Sequence, residues 1–568
     1  MYFVALATDY DGTLAEDGIV APGTLSALRS LKESGRKAIL VTGRELPDLR
    51  GVFAEISSFD LVVAENGALL YDPCTGEEWP IGAAPPPGFV ERLRERQVPV
   101  SVGRSIVATW EPHQTTVLDT IRELGLELQI IFNKGAVMIL PAGVNKATGL
   151  AVALTRLKLS TLNTVAIGDA ENDHAFLQAS GCAVAVANAL PMVKADAEIV
   201  TEGARGAGVA ELITRLIKND LIDTMAQISR QSVELAREPD GAAVLIQPQE
   251  SSLFIAGSSG GGKSTATTGI LERIAQSGFQ FCVIDPEGDY AGLEGAVTIG
   301  GPKTAPRLQQ VMDLLDPPEQ NLVVDLTGIE LADRPHFLAE LVPKLWELRT
   351  RTARPHWVVI DEAHHMLPAV LGSASLTLPR TFAGTILITV RPEHVARPAL
   401  EEVTHVMTVG VDAAKTMRSF FDQLDVQPPA LDEVPLEHGE ALLWERASGV
   451  GRHVCTIPPH ALRLRHSRKY AEGELGDDKS FYFRGPEGSL NLKAQNLSVF
   501  LQLAQGVDDQ TWLHHLRAGD YSRWLEHSIN DGELAAEIAG FETDEALDAG
   551  ESRSRVRAAI ETRYTGPA

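Results

Sequence analysis

The stretch TDYDGTL, residues 8–14, sets two carboxylates two positions apart, Asp9 and Asp11. On an ideal strand such positions face the same way, and the turn through Gly12 can re-aim the second. Two close carboxylates repel unless a cation joins them, so Mg²⁺ is the expected partner. A second stretch, AGSSGGGKST from Ala256 to Thr265, has different chemistry. It follows the apolar run SLFIA and precedes the helix-like TATTGILERIAQSG. Gly257, Gly260 and Gly262 let backbone N–H groups turn inward around a nucleotide phosphate, and a helix N-terminus favours that charge. Lys263 would reach the β- and γ-phosphates, and Ser264, beside Thr265, would ligate Mg²⁺. Downstream, HWVVIDEAHHMLP ends a strand at Asp361, which can hold the Mg²⁺ shell. Glu362 follows at once and can polarise water against a γ-phosphate.

Short β-rich runs must position these groups. VALATDYDG, KAILVTGR, FDLVVAENGA, NTVAIGDAEND and CAVAVANA read as buried strands with polar residues at their ends, and APGTLSALRSLKESG as a helix stopped by Gly35. Strands alternating with helices predict a parallel α/β sheet, whose strand ends are where ligands bind. Residues 1–216 form this first region, interrupted by a small α+β insert at about 75–142. Residues 217–245 are polar and helical in pattern and read as a connector. A second α/β region spans 246–465, with SLFIAG, FQFCVID, QNLVVDL, HWVVIDEAH and GTILITV as strands. Residues 480–568 form a helical C-terminal module rich in aromatic residues, a default surface for protein contacts.

The first region resembles the HAD phosphohydrolase superfamily. The Asp-x-Asp-Gly-Thr pattern is followed in order by VTGR with Thr42, GVNKATGL with Lys146, and AIGDAENDHAF with Asp169, Asn172 and Asp173. ENGA, residues 65–68, is similar to a loop of the Cof-type branch, in which a specificity cap occupies the position of the insert. The resemblance implies a Rossmann-like phosphatase acting on sugar phosphates or other small phosphorylated metabolites. Asp9 would attack phosphorus, and Asp11 would protonate the leaving oxygen and then activate water. Thr42 and Lys146 would hold the phosphoryl oxygens. Mg²⁺ would bind Asp9, the Asp11 carbonyl and Asp169, with Asp173 ligating or orienting. Trp110, His113 and Arg104 of the insert are candidates for substrate contact.

The second region resembles the HerA-type branch of hexameric P-loop ATPases, through AGSSGGGKST, VIDPEGDY (residues 283–290) and the DEAH box. The resemblance implies ATP and Mg²⁺ as ligands and a homo-oligomer, a hexameric ring in that family. ITVRPEHV stands where the family has a strand ending in Gln-Arg-Pro: Val390 replaces the Gln, while Arg391 is kept as a candidate nucleotide contact. Arg351 or Arg354 could act as a finger across a subunit boundary, or be solvated loop residues. The tail resembles a small helical module attached to HAD proteins and implies no activity.

The totals bound the rest. At 568 residues the chain holds several domains. Its formal net charge of −26 disfavours nucleic acid as a partner, since gripping phosphates takes Lys and Arg. The four cysteines are scattered and match neither metal nor disulfide spacing. No apolar run is long enough to span a bilayer, so a cytoplasmic location is expected. The favoured reading is a bifunctional enzyme, a phosphatase with an ATPase that regulates or assembles it. A nucleic-acid translocase with an accessory phosphatase, a kinase–phosphatase pair and a nucleotide-gated scaffold remain as alternatives.

Overall fold

The computed structural model describes residues 1–133, 135–258, 261–369, 382–429, 436–437, 439–460, 475, 479–486, 488, 490–529, 531–544 and 546–564. The chain divides into two compact units, Met1–Ser264 with Ile270–Ile457, and Thr265–Gly269 with Pro458–Ala568.

The first unit contains two large sheets, each parallel at its centre with antiparallel strands toward one edge, and the smaller antiparallel sheet of a cap. β1 (Ala5–Asp9), β2 (Lys37–Val41), β3 (Leu61–Ala64), β4 (Leu69–Tyr71) and β5 (Glu78–Pro80) come first in the chain. A cap follows, with β6 (Ser101–Val102), β7 (Val107–Trp110), β8 (Leu128–Asn133) and β9 (Ala136–Pro141). β10 (Thr164–Gly168), β11 (Cys182–Ala185) and β12 (Ile199–Val200) complete the first sheet, in the order β12-β11-β10-β1-β2-β3-β4-β5. β1 lies at its centre and pairs in parallel with both β2 and β10. Every residue of β1, β3, β10 and β11 is buried. Continuous apolar runs are what a sheet covered on both faces requires. The cap strands form an antiparallel sheet, β6-β7-β9-β8, with the helices Pro87–Glu95 and Gln114–Leu124. Glu78–Pro80, inside the interval read as the insert, pairs with β4 instead and extends the first sheet.

Residues 217–245 were expected to be a polar, helical connector. Two short 3₁₀ turns, Ile222–Gln227 and Ser229–Gln231, occupy its first half. The rest supplies β13 (Val233–Arg237) and the start of β14 (Ala243–Ile246), an antiparallel pair at the edge of the second sheet. Val233, Leu235, Val244 and Ile246 are buried, while Glu234 and Arg237 of β13 and Ala243 and Leu245 of β14 fall on the other side or at the strand end. One face is wet and the other packed, and that pattern is easily taken for a linker.

The second sheet continues with β15 (Ser252–Gly257), β16 (Phe281–Asp285), β17 (Ala296–Gly300), β18 (Asn321–Asp325), β19 (Trp357–Ile360), β20 (Thr385–Thr389), β21 (His405–Val409), β22 (Glu440–Glu445) and β23 (Gly451–Thr456). Its order is β14-β13-β23-β22-β21-β15-β20-β19-β16-β18-β17. β15 is central, with β20 and β21 parallel on either side.

The two α/β regions meet at the N-terminal ends of two strands. His356, just before β19, accepts the Gln280 N–H at Nδ1 (2.9 Å), and its Nε2 lies 2.9 Å from Asn163 Oδ1, just before β10. With Nδ1 accepting, Nε2 carries the proton and donates. Arg354 is fully buried. It donates to Gln280 Oε1 and to the carbonyls of Leu315, Asp316 and, across the junction, Lys158. Arg354 is therefore neither a finger nor a solvated loop residue, whereas Arg351 is exposed. Burial lowers the Arg354 pKa to about 10, which leaves it charged at neutral pH. Arg354→Met strands several buried carbonyls and is expected to destabilise the chain by about 3 kcal/mol or more, read as a loss of denaturation midpoint. A solvated arginine in its place would cost less than about 0.5 kcal/mol.

The second unit carries the hairpin β24 (Phe481–Phe483) and β25 (Leu492–Ala494) and the helices Leu497–Gly506, Asp509–Ala518, Asp520–Trp524, Gly532–Thr543 and Ala549–Tyr564. Its core is an aromatic cluster in which Trp512 stacks on Tyr521 at 4.5 Å. His515 is held inside by Asp520 (2.7 Å) and the Arg484 N–H (3.0 Å), while its neighbour His514 lies outside this pairing. Among the described residues, no helix is long and apolar enough to cross a membrane.

Candidate active sites

The first site gathers at the C-terminal ends of β1, β2 and β10. Asp9 closes β1 and is buried. Thr42 follows β2 and is anchored by its N–H to the Val63 carbonyl (2.8 Å). Asp169 and Asp173 follow β10. Asp173 turns back so that Oδ2 accepts the N–H groups of Asp169 (2.8 Å) and Ala170 (3.0 Å). A Cβ on Gly168 would lie 2.8 Å from that carboxylate, so only glycine fits there. Lys146 opens the helix Lys146–Leu157, which Asn145 and Thr148 close with a capping box. Its Nζ donates to Asp9 Oδ1 (2.6 Å) and Asp173 Oδ1 (2.5 Å).

Asp9, Asp169 and Asp173 offer oxygens that all lie within 4.8 Å of one another. Three buried carboxylates against one ammonium leave net negative charge, and oxygen donors suit a hard divalent cation. Both oxygens of Asp173 are already engaged, which fits orienting better than ligating. Asp11 stands apart from this trio. Arg44 grips its carboxylate with two bonds of 2.7 Å and also bonds Asp48 (2.7 Å). Sequence reasoning missed Arg44, although it lies two residues after Thr42, and Thr13, which donates to Asp169 Oδ1 (3.2 Å). Asp9, Asp11, Arg44 and Asn172 line a cleft of about 720 Å³ roofed by the cap, with Ile106, Ala108, Trp110 and Met138 on the cap side. Trp110 is 61% exposed there. His113 and Arg104 do not line the cleft; Arg104 pairs with Glu78 (3.2 Å).

Burial and the neighbouring Asp173 carboxylate raise the Asp9 pKa to about 8, against the opposing pull of Lys146. Burial also opposes the Lys146 charge, but Asp173 and Asp9 outweigh it and raise that pKa, so Lys146 stays protonated. The folded protein thus binds a proton at Asp9 more tightly than the unfolded chain does. Its contribution to stability is full below about pH 4 and is lost as pH rises toward 8. Metal-free protein is expected to lose thermal stability across that window. Added Mg²⁺ should restore it most strongly at the alkaline end, as a pH series of melting curves with and without the ion will show.

The second site lies at the ends of β15, β16, β19 and β20. Gly257 closes β15, where a Cβ would meet the Val409 carbonyl at 2.4 Å, and Gly262 has φ +94° at the start of the helix Lys263–Gln276. Gly260 lies outside the described residues. Ser264 is exposed and Thr265 half-buried in the first turn. Lys263 is buried with its Nζ on the carbonyls of Gly257 and Ser258, both at 3.0 Å. Burial lowers its pKa, against the carboxylates of Glu362, Asp361, Asp289 and Glu287. Asp361 is buried and, by burial and the adjacent Glu362, held well above the usual carboxylate range. Its Oδ1 accepts the Glu362 N–H (2.9 Å). Glu362 has φ +44°, a conformation costly for any residue but glycine. Burial first, then Glu287, raise its pKa to about 7. The sequence did not single out His364 for this site. Its Nδ1 lies 3.1 Å from Glu362 Oε2 and 3.0 Å from Thr389 Oγ1, at the end of β20. Thr389 Oγ1 also accepts the Arg391 N–H (3.0 Å), while Arg391 itself is exposed.

A sheet with an aspartate closing its central strand, joined to a second sheet with a Lys-tipped glycine loop, defines a phosphatase linked to an ATPase. The chain belongs to the haloacid dehalogenase-like hydrolases, whose family matches residues 6–78 and 115–213. It also carries a HerA-type ATPase domain, matched over residues 249–366 by the central domain of the helicase HerA. A phosphoglycolate phosphatase of Methanothermobacter thermautotrophicus is 31% identical over 225 residues, which are 38% of this chain and 98% of that protein. Phosphoglycolate phosphatase 2 of Saccharolobus solfataricus is 30% identical over 230 residues, 38% and 94% of the two chains. A haloacid dehalogenase-like hydrolase structure from Bacteroides thetaiotaomicron shares 19% identity over 38% of this chain and 99% of its own, with a TM-score of 0.33. At that score the likeness carries no argument.

Proposed function

We propose that the chain is a bifunctional enzyme whose first site removes phosphate from a small phosphorylated metabolite through an aspartyl-phosphate at Asp9. The observation that carries this reading is the meeting of Asp9, Asp169 and Asp173, with the Lys146 ammonium on Asp9 and Asp173, where Asp9 reaches a capped cleft. Asp9 Oδ attacks phosphorus and the P–O bond to the leaving group breaks. Asp11, oriented by Arg44, protonates the leaving oxygen and then takes a proton from the water that attacks the aspartyl-phosphate, breaking the Asp9 Oδ–P bond and releasing phosphate. Lys146 and Thr42 hold the phosphoryl oxygens as charge shifts onto them. Asp9 and Asp169, with Asp173 orienting, would hold Mg²⁺, which would supply charge neutralisation.

The substrate class we favour is a phosphorylated small acid such as 2-phosphoglycolate. The relatives' names support it. Initial rates of phosphate release with Mg²⁺ from 2-phosphoglycolate and from hexose phosphates test this. The proposal expects 2-phosphoglycolate to lead, and a clear preference for hexose phosphates would replace it.

At the second site, Lys263 holds the β- and γ-phosphates of ATP, Ser264 and Asp361 support the Mg²⁺ shell, and Glu362 polarises the attacking water. Its proposed task is to regulate or assemble the phosphatase. The support is the junction at which Asn163 and His356 join the roots of β10 and β19, the strands that end at Asp169 and Asp361. The HerA match also favours a second reading, a nucleic-acid translocase with an accessory phosphatase. The net charge of −26 opposes it. DNA binding that weakens steeply with salt would revive it.

A further inference from the structure

We propose that Glu65 is the positioning residue that sets the cap over the phosphate site, its carboxylate clasping the turn between β6 and β7. The inference deepens the phosphatase reading and rests on it. Glu65 is 1% exposed, an unusual place for a carboxylate. Its Oε1 accepts the N–H of Arg104 (2.9 Å), and its Oε2 accepts those of Ser105 (2.9 Å) and Ile106 (3.2 Å). Three consecutive cap amides thus converge on one core side chain. Gly103 completes the fit: a Cβ there would lie 2.7 Å from the same carboxylate. β7 leaves this turn and brings Ala108, Thr109 and Trp110 to the cleft.

The loop that carries Glu65 also touches the catalytic loops. Its backbone N–H donates to the Arg44 carbonyl (2.9 Å), and that of Asn66 donates to the Thr42 carbonyl (3.0 Å). The Asn66 side chain accepts from Asn172 Nδ2 (3.0 Å). Gly67, at φ +105°, admits the start of the Lys146 helix, since a Cβ would meet the Asn145 carbonyl at 1.9 Å. One four-residue loop therefore fixes the loops of Thr42, Lys146 and Asn172, and Glu65 is the member that extends this frame to the cap. Register between cap and core follows from it.

Two variants test the clasp from opposite sides. Glu65→Gln replaces one of the two acceptor oxygens by an amide donor, setting it against one or two of the three backbone N–H groups, and Gly103→Ala drives a methyl into the carboxylate. The readouts are amide hydrogen exchange at residues 104–106 and kcat/KM for 2-phosphoglycolate and p-nitrophenyl phosphate with Mg²⁺. Both variants should speed exchange at 104–106 at least about tenfold. Both should lower kcat/KM for 2-phosphoglycolate by about ten- to a hundredfold, the cost of misplacement by about an ångström. Turnover of p-nitrophenyl phosphate, whose good leaving group demands least of cap closure, should hold near the wild-type value. Unchanged exchange in both variants, or an equal fall for both substrates, overturns the proposal. A wild type that cleaves only p-nitrophenyl phosphate refutes the substrate reading alone, and exchange still decides the clasp.

Discussion

Asp9→Asn is expected to lower phosphate release by at least about 10⁴-fold while making the metal-free protein more stable. The loss follows from the chemistry, because an amide has no lone pair fit to attack phosphorus and no group beside it can substitute. Asp169 is turned to Thr13, and both oxygens of Asp173 are bonded. Asn keeps the shape of Asp and can still accept from Lys146, so the fold is not at issue. The gain in stability follows from the electrostatics. Asp9 ionises against burial and against Asp173, which is why its pKa climbs to about 8. A neutral side chain removes that conflict, for a gain of about 1 kcal/mol at pH 8 without metal. The same substitution should shrink the stabilisation given by Mg²⁺. Activity and stability moving in opposite directions mark a group held for chemistry, and melting curves beside phosphate assays will show both.

Glu362→Gln is expected to cut ATP hydrolysis by about 10²- to 10⁴-fold, the range for a lost general base, with nucleotide binding retained. Lys263, Ser264 and Asp361 are untouched by the change, so a fluorescent ATP analogue should still bind. The wild-type rate should also rise with pH through about 7. The Glu362 pKa is raised above the usual carboxylate value by burial and Glu287, so the group is protonated and idle at pH 6 and ionised at pH 8. That limb should vanish in the Gln variant. A Glu362→Gln enzyme with wild-type hydrolysis would move the water-activating role elsewhere, and His364, against the Glu362 carboxylate, would be the first place to look.

Much of the chemistry was legible because buried parallel strands announce themselves. β1, β3, β10 and β11 are largely apolar and buried throughout, and the residues at and after their ends fall where such sheets bind ligands. The order of Asp9, Thr42, Lys146 and Asp169 along the chain therefore carried the first site. What stayed hidden depends on where side chains turn. Asp11 sits two residues from Asp9, yet Arg44 draws it away from the carboxylate trio, a choice made by tertiary geometry. β13 and β14 escaped notice because strands with one wet face read as polar linker. Arg354 looked like a loop residue, since nothing in TARPHW says that four acceptors wait for a guanidinium inside the junction. Glu65 was visible only as part of ENGA, because its partners are backbone amides, which have no signature in sequence.

The most direct test of the central claim is acid-quench peptide mass spectrometry of the Mg²⁺-loaded chain during turnover of 2-phosphoglycolate. The account predicts a phosphorylated peptide that contains Asp9, absent in Asp9→Asn and lost when the substrate is exhausted. Steady release of phosphate with Asp9 unmodified at every time point, or undiminished release by Asp9→Asn, would contradict it.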